Sequence, residues 1–179
     1  MENQTGDLEA LKLALKMEID GYNFFKAASS KAKNLLTKDA FNYFADWELE
    51  HVEFIKKIYQ ELKETGKWIS VDKMSQKRGD AIAAFKTIFK EKHEKIDEDV
   101  KVDASDLDAY KLARDIEDKA IVFYQERVKS TTNDFAKKFY KFMIDLEREH
   151  YQILDNSYRY FENPTQWNLE EEGWMFDGG

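Results

Sequence analysis

The sequence contains no cysteine. This absence excludes disulfide bonds, thiolate zinc sites, iron–sulfur clusters and cysteine-ligated iron from its 179 residues. Proline occurs once and glycine seven times. Because these two residues interrupt helices most strongly, their scarcity favours long helices over a sheet.

Lysine and arginine are fewer than aspartate and glutamate, and the sequence has no long apolar run. The formal net charge is −8, which makes nucleic acid an unsuitable partner. No apolar run approaches the roughly 20 residues of a membrane span, and the first residues have no signal-peptide character. With 42% hydrophobic residues, the chain can bury a good core. We expect one soluble, cytoplasmic domain over residues 1–179, with no membrane partner.

Histidine is also scarce, with three residues, but two of them belong to a repeated pattern. Each copy has a glutamate, a second glutamate 30 positions later, and a histidine three positions after that. The copies lie 99 positions apart and consist of Glu18, Glu48 and His51, and of Glu117, Glu147 and His150. Residues three apart share one side of a helix, and a 30-residue gap fits two antiparallel helices. The pattern therefore predicts two helical hairpins whose acids and histidines meet.

Apolar residues at helical spacing surround these acids, so the acids are predicted to be buried. Four buried carboxylates would repel one another unless cations lay between them. Two Fe(II) ions would neutralise four carboxylates, and so would two Fe(III) ions with one oxo bridge. An oxo or hydroxo bridge is expected when the centre is oxidised. Carboxylate and imidazole ligands suit iron, with manganese or zinc as substitutes. The third histidine, His93, has no partner at ligand spacing and is expected on the surface.

The sequence as a whole predicts an all-α bundle of two antiparallel hairpins related by internal duplication. We expect caps at Thr5 or Asp7, at Thr37, at Ser105 or Asp106, and at Thr131 or Thr132. A short crossover helix is predicted over 80–92. The predicted units are hairpin 1 at about 7–65, the crossover at 66–104, hairpin 2 at about 105–162, and a tail at 163–179. The tail carries Trp174 and is expected to pack on the bundle or a sister chain, or to serve as an interaction peptide.

The motifs resemble those of the rubrerythrin-like branch of the ferritin-like diiron-carboxylate superfamily. The resemblance covers nearly the whole chain. It rests on the segments Ala14–Glu18, Trp47–His51, Ala113–Glu117 and Leu146–Tyr151, together with the Trp174–Gly179 ending. It implies a ferritin-like four-helix bundle with two irons that react with hydrogen peroxide or dioxygen.

Two departures from the family pattern bear on the reaction. The cysteine-rich rubredoxin domain that delivers electrons in rubrerythrins is lacking, so a separate electron-donor protein is expected. Rubrerythrins also carry an extra glutamate one turn before the third-helix ligand, where this chain has Arg114. That replacement weakens the assignment as a peroxidase.

The preferred interpretation is a diiron oxidoreductase that forms a homodimer. Glu48 and Glu147 are predicted to bridge the metals because each has a histidine on its own helix, and Glu18 and Glu117 are predicted to be terminal ligands. Tyr124, seven residues after Glu117, is a candidate proton or electron donor, with ordinary core packing as the alternative. Other interpretations are a ferroxidase or iron-handling protein, a structural protein with an inert metal clip, and an oxygenase acting on an organic substrate.

Overall fold

Four long helices make up most of the part of the chain that the structure describes. The structure, a computed structural model, describes residues 2–70 and 104–167. The helices are α1 (Glu2–Lys31), α2 (Leu35–Thr65), α3 (Ala104–Ser130) and α4 (Asp134–Glu162). A further helical turn covers 164–167, and the described residues contain no strand. The prediction of an all-α four-helix bundle is confirmed.

The helices pair as two hairpins. α1 packs along α2, and α3 packs along α4, each pair joined by a turn of a few residues. Each hairpin contains one copy of the repeated Glu, Glu and His pattern. The duplicated sequence therefore corresponds to a duplicated supersecondary unit.

The core consists of two apolar layers, one toward each end of the bundle. The first layer includes Leu11, Ile55, Ile58, Leu62, Tyr124, Phe139 and Met143. The second includes Phe25, Phe41, Phe44, Tyr110, Ile153 and Leu154. In every helix the predicted ligand positions fall between the residues of the two layers. The fold therefore encloses the acids and histidines at mid-height, with apolar side chains above and below.

Helix boundaries differ from the sequence prediction at each start. α1 begins at Glu2, so neither Thr5 nor Asp7 caps it. The caps of α2 and α4 are asparagines: the Asn34 side chain accepts from the Thr37 N–H, and the Asn133 side chain accepts from the Phe135 and Ala136 N–H groups. The predicted threonine caps are wrong because an asparagine lies nearby, and asparagine is at least as good a cap.

The prediction that Ser105 or Asp106 caps α3 is also wrong, because the helix begins earlier, at Ala104. The buried Asp106 carboxylate instead accepts from the backbone N–H of Lys33 at 3.4 Å and of Asn34 at 3.1 Å. A side chain of the second hairpin thus accepts hydrogen bonds from backbone N–H groups in the turn of the first hairpin. This contact fixes the relative height of α1 and α3, which is the height on which the shared site depends.

α2 ends at a glycine with left-handed backbone. Gly66 has φ 72°, a conformation that favours glycine, and its N–H bonds to the Leu62 carbonyl. The chain then returns over the bundle end, where Trp68 is buried and donates to the Asp7 carboxylate at 3.0 Å. The predicted crossover helix at 80–92, His93 and the tail beyond 167 lie outside the described residues. Among the described helices, none combines the length and the apolar character needed to cross a membrane.

Candidate metal centre

The four helices bring the six predicted ligands together in the middle of the bundle. Their exposed fractions are 6% or less: Glu18 2%, Glu48 2%, His51 6%, Glu117 1%, Glu147 0% and His150 4%. The ligand atoms of Glu48, His51, Glu147 and His150 lie within 4.8 Å of one another, a grouping that could hold a metal ion. Glu18 and Glu117 flank this group. Their assignment as metal ligands stays a prediction, which the geometry below supports.

Two glutamates each face both histidines. The Glu147 Oε1 lies 3.4 Å from the His51 Nδ1, and its Oε2 lies 3.4 Å from the His150 Nδ1. Glu48 repeats this pattern, with Oε2 at 3.8 Å from the His51 Nδ1 and Oε1 at 3.5 Å from the His150 Nδ1. Each of these carboxylates therefore spans the gap between the two imidazoles.

The other two glutamates each face one histidine. The Glu18 Oε2 lies 3.1 Å from the His51 Nδ1, and the Glu117 Oε1 lies 3.8 Å from the His150 Nδ1. The site thus divides into two halves, one for each hairpin. Atoms that bind one ion at about 2.1 Å lie roughly 3 to 3.5 Å apart, which is close to most of these separations.

Several atoms of the cluster are buried without a hydrogen-bond partner among the described residues. They are Glu48 Oε1, Glu117 Oε1, both Glu147 carboxylate oxygens and His150 Nδ1. A buried polar atom left unsatisfied costs about 1–3 kcal/mol, and more if it is charged. If all of these atoms stayed unsatisfied around one point, the stability of a protein of this size would be strongly reduced. A pair of cations would satisfy them all, so the residues present fit a two-metal site.

Electrostatics in the cluster lead to the same conclusion. Burial, reinforced by the charges of neighbouring glutamates, raises the pKa of Glu18 and of Glu117 well above the ordinary value of 4.5. Burial also acts to raise the pKa of Glu48, but the interactions with His150 and His51 outweigh it, and the net shift is downward. Glu18 and Glu117 therefore hold protons strongly, and Glu48 shares those of the histidines. A cluster with this demand for positive charge is suited to binding cations.

The histidines show the converse effect. Burial acts to lower the pKa of His51, but the charge of Glu147 and the interaction with Glu18 outweigh it, so that the pKa is raised well above 6.5. The pKa of His150 is raised as well, since its interactions with Glu147 and Glu48 exceed the effect of burial. Metal ions at the Nδ1 atoms would supply the positive charge that these protons supply otherwise.

Tyr124 reaches the site from the neighbouring helix. Its hydroxyl donates a hydrogen bond to the Glu18 Oε1, and the side chain is completely buried. Burial, followed by the negative charge of Glu18, raises the pKa of Tyr124 well above 10.0. The duplicate position holds Phe25, which has no hydroxyl to offer to Glu117. The two halves of the site are therefore chemically different.

Arg114, at the position where the resemblance implies an extra glutamate, turns away from the predicted ligands. Its guanidinium pairs with Asp155 at 2.5 Å and lies 4.5 Å above the ring of Tyr158. The side chain is partly exposed at the edge of the bundle. Its charge is therefore balanced by Asp155 and not by a carboxylate of the cluster.

Two features of the site lie beyond what helical spacing predicts. A Cβ added at Gly21 would lie 3.3 Å from both Cδ and Oε2 of Glu48, so this glycine leaves room for that carboxylate. Trp47 stacks on His150, with ring centroids 5.0 Å apart and planes 10° from parallel. A comparison of the two copies could have drawn attention to Trp47, because its duplicate position holds Leu146.

Comparison with known proteins agrees with this geometry. The family model described as Rubrerythrin matches residues 9–158, which includes all six predicted ligands and all four helices in large part. No curated protein and no solved structure matches the chain. The matched region covers well over half of the sequence, and it coincides with the duplicated hairpins that enclose the site. The chain therefore belongs to the rubrerythrin family.

Proposed function

We propose that this protein is a non-haem diiron oxidoreductase that reduces hydrogen peroxide or dioxygen with electrons from a separate donor protein. One observation carries the proposal. Each oxygen of Glu147, and each oxygen of Glu48, faces a different buried histidine. Two carboxylates arranged in this way suit a pair of metal ions better than one ion.

The distances support distinct roles for the six ligands. Glu48 and Glu147 would bridge the two ions, as each spans both histidines. Glu18 would complete the half-site of His51, and Glu117 would complete that of His150. A pair of metal ions that changes oxidation state needs ligands that tolerate a change of charge. The four carboxylates carry four negative charges, which neutralise the four positive charges of two Fe(II) ions.

Two bound Fe(II) ions would supply the two electrons that, with two protons, convert one hydrogen peroxide into two waters. The chain would supply the protein side of the reaction. Tyr124 keeps its proton at the hydroxyl because its pKa is raised by burial and by Glu18. The bond to Glu18 places that proton at the edge of the cluster. Tyr124 would thus place one proton beside the cluster for transfer to the reacting oxygen, and its hydroxyl would be reprotonated before the next cycle.

The surroundings of the cluster exclude water. Phe44 packs edge-on against the His150 ring at 5.6 Å, and the apolar layers close the bundle on both sides. A dry site strengthens the electrostatic hold on the cations and limits loss of oxidising equivalents to solvent. We propose that reduction of the centre after each cycle depends on a separate donor protein.

The proposal is tested by single-turnover kinetics. Protein loaded anaerobically with Fe(II) should bind two irons per chain and be oxidised rapidly by one equivalent of peroxide. The reaction should then stop until an outside reductant is added. Glu147→Ala should abolish it, while the control Glu50→Ala, an exposed glutamate on α2, should leave it unchanged.

Other results would favour the competing functions. Oxidation at the rate of free Fe(II), or a rate unaffected by Glu147→Ala, would indicate an inert metal clip. Assembly into a large shell that accumulates many irons per chain would indicate iron storage. Either result would contradict the proposed oxidoreductase.

A further inference from the structure

An aromatic stack runs from the outer part of the bundle to one ligand of the site. The Tyr43 ring meets the Trp47 ring edge-on at 4.7 Å, and Trp47 lies parallel to His150 at 5.0 Å. His150 in turn stacks on His51 at 5.0 Å and 11°. We name Tyr43, Trp47 and His150 the Trp47 stack. It is a continuous series of π-systems that ends at a predicted metal ligand.

The outer members of the Trp47 stack are not sealed inside the protein. Tyr43 and Trp47 both keep partial solvent exposure, whereas His150 is 4% exposed. Two ring-to-ring steps therefore connect the bundle surface with an imidazole whose Nδ1 faces Glu48 and Glu147. Electron tunnelling weakens steeply with distance through saturated groups, and stacked rings shorten the saturated part of the path.

The duplication of the chain provides an internal comparison. The positions equivalent to Tyr43 and Trp47 in the second hairpin hold Phe142 and Leu146. The hairpins are alike at the six predicted ligand positions, but at this pair of equivalent positions the readily oxidised tyrosine and tryptophan occur only in the first hairpin. Packing alone would be satisfied by phenylalanine and leucine, as it is in the second copy. The difference gives one iron position an aromatic contact that the other lacks.

We propose that the Trp47 stack is the entry route for electrons from the donor protein, and that it leads to the metal position of His150. The inference rests on the proposed function, since it concerns the reduction of the same centre. In each transfer a reduced one-electron carrier protein loses one electron, and one Fe(III) becomes Fe(II). No bond in Tyr43 or Trp47 forms or breaks. Two transfers restore two Fe(II) ions.

Rapid-mixing kinetics of the reductive step alone test this route. The centre is loaded with Fe(II), oxidised with ferricyanide so that peroxide has no part, and mixed anaerobically with reduced rubredoxin as the carrier. Loss of ferric absorbance gives the rate. Trp47→Leu, which copies the residue at position 146, should slow reduction at least about tenfold. Trp47→Phe should give an intermediate rate.

Three measurements separate conduction from packing. The control Trp167→Phe, which changes a tryptophan in contact with Tyr160 after α4, should reduce at the wild-type rate. Iron content and the reduction potential of the centre should be unchanged in both Trp47 variants. Equal rates in Trp47→Leu and wild type would overturn the proposal. So would loss of iron or a changed potential in Trp47→Phe, because Trp47 would then position His150 instead of conducting.

The result is separable from the proposed function. A centre that is reduced through Trp47 but does not react with peroxide or oxygen would contradict the function and leave the route standing. A centre that reacts with peroxide in every variant, and is reduced equally fast in every variant, would contradict only the route.

Discussion

Among individual positions of the bundle, Gly21 shows how closely the site is fitted. Its missing side chain leaves the space that Glu48 occupies, because an added Cβ would lie only 3.3 Å from that carboxylate. Gly21→Ala should stabilise α1 as a helix by up to about 1 kcal/mol, because alanine is the better helix former. It should also push the Glu48 carboxylate aside and lower the affinity for Fe(II) by about tenfold, or about 1.4 kcal/mol.

Gly6 offers a matched control for this prediction. It lies in the same helix, and beyond its chain neighbours and the adjoining helix backbone no atom lies within 4 Å of its added Cβ. Gly6→Ala should leave the affinity for Fe(II) unchanged. Affinity is measured by anaerobic titration, and helix stability by unfolding of the metal-free variants. Equal Fe(II) affinities in the two variants would contradict the role assigned to Gly21.

Tyr124 gives a second test at a single side chain. Tyr124→Phe removes the hydroxyl that bonds to Glu18 but keeps the ring that packs in the core. Iron binding should persist, and oxidation of the Fe(II) protein by peroxide should slow by about a hundredfold if the hydroxyl supplies a proton. Tyr110→Phe is the control, since that tyrosine is equally buried but belongs to the other apolar layer. An unchanged rate in Tyr124→Phe would mean that the tyrosine only packs.

The arrangement of the helices depends on a contact that joins the two hairpins. Asp106 at the start of α3 accepts from two backbone N–H groups in the turn between α1 and α2. Asp106→Ala would leave these donors without their partner, at a cost of about 1–3 kcal/mol. Asp108→Ala removes only an exposed pair with Lys111 and should cost much less, because solvent screens that pair. Urea unfolding measures both, and similar losses would contradict the role of Asp106.

The helices, and the meeting of the six acids and histidines inside the bundle, could be predicted from the sequence because helices are regular. A three-residue spacing fixes which side of a helix two residues share, and a 30-residue spacing returns the chain to the same height. Because both spacings occur twice, few arrangements of the four helices would bring the acids and histidines together. The packing of Ile55 and Phe139 on the inner faces follows from the same periodicity.

The remaining features depend on geometry that helical spacing does not contain. The choice between Asn34 and Thr37 as a cap is decided by the shape of a three-residue turn. The contact of Asp106 with that turn joins residues more than 70 positions apart. The stack of Trp47 on His150 depends on the lateral distance between α2 and α4, which no spacing along one helix determines.

The stability of the molecule as a whole should depend on pH in the absence of metal. The folded state raises the pKa values of Glu18, Glu117, His51 and His150, so it binds more protons than the unfolded state above the ordinary glutamate pKa of 4.5. Stability from a raised pKa is lost as pH rises toward the folded value. The lowered pKa of Glu48 has the opposite effect on stability. It contributes only below the ordinary glutamate pKa, where the stability falls as the pH falls.

The free energy of unfolding of the metal-free protein should therefore decrease between about pH 5 and pH 8. Fe(II) or Mn(II) should remove this decrease, because the metal replaces the protons and binds better as they leave. At a hundredfold excess over the dissociation constant, the gain is about 2.7 kcal/mol. Thermal unfolding in a pH series checks both effects. The coupling of the site to the fold would be contradicted if the metal-free protein gained stability across this pH range. It would also be contradicted if adding metal left the melting temperature unchanged.

Mössbauer spectroscopy of protein loaded with isotopically enriched iron and then oxidised tests the central claim most directly. The claim is that Glu48 and Glu147 hold two irons together in one site. It predicts two irons per chain whose spins are coupled, with a diamagnetic ground state in wild type that is lost in Glu147→Ala. One iron per chain, or two with the magnetic spectrum of isolated ferric ions, would contradict it.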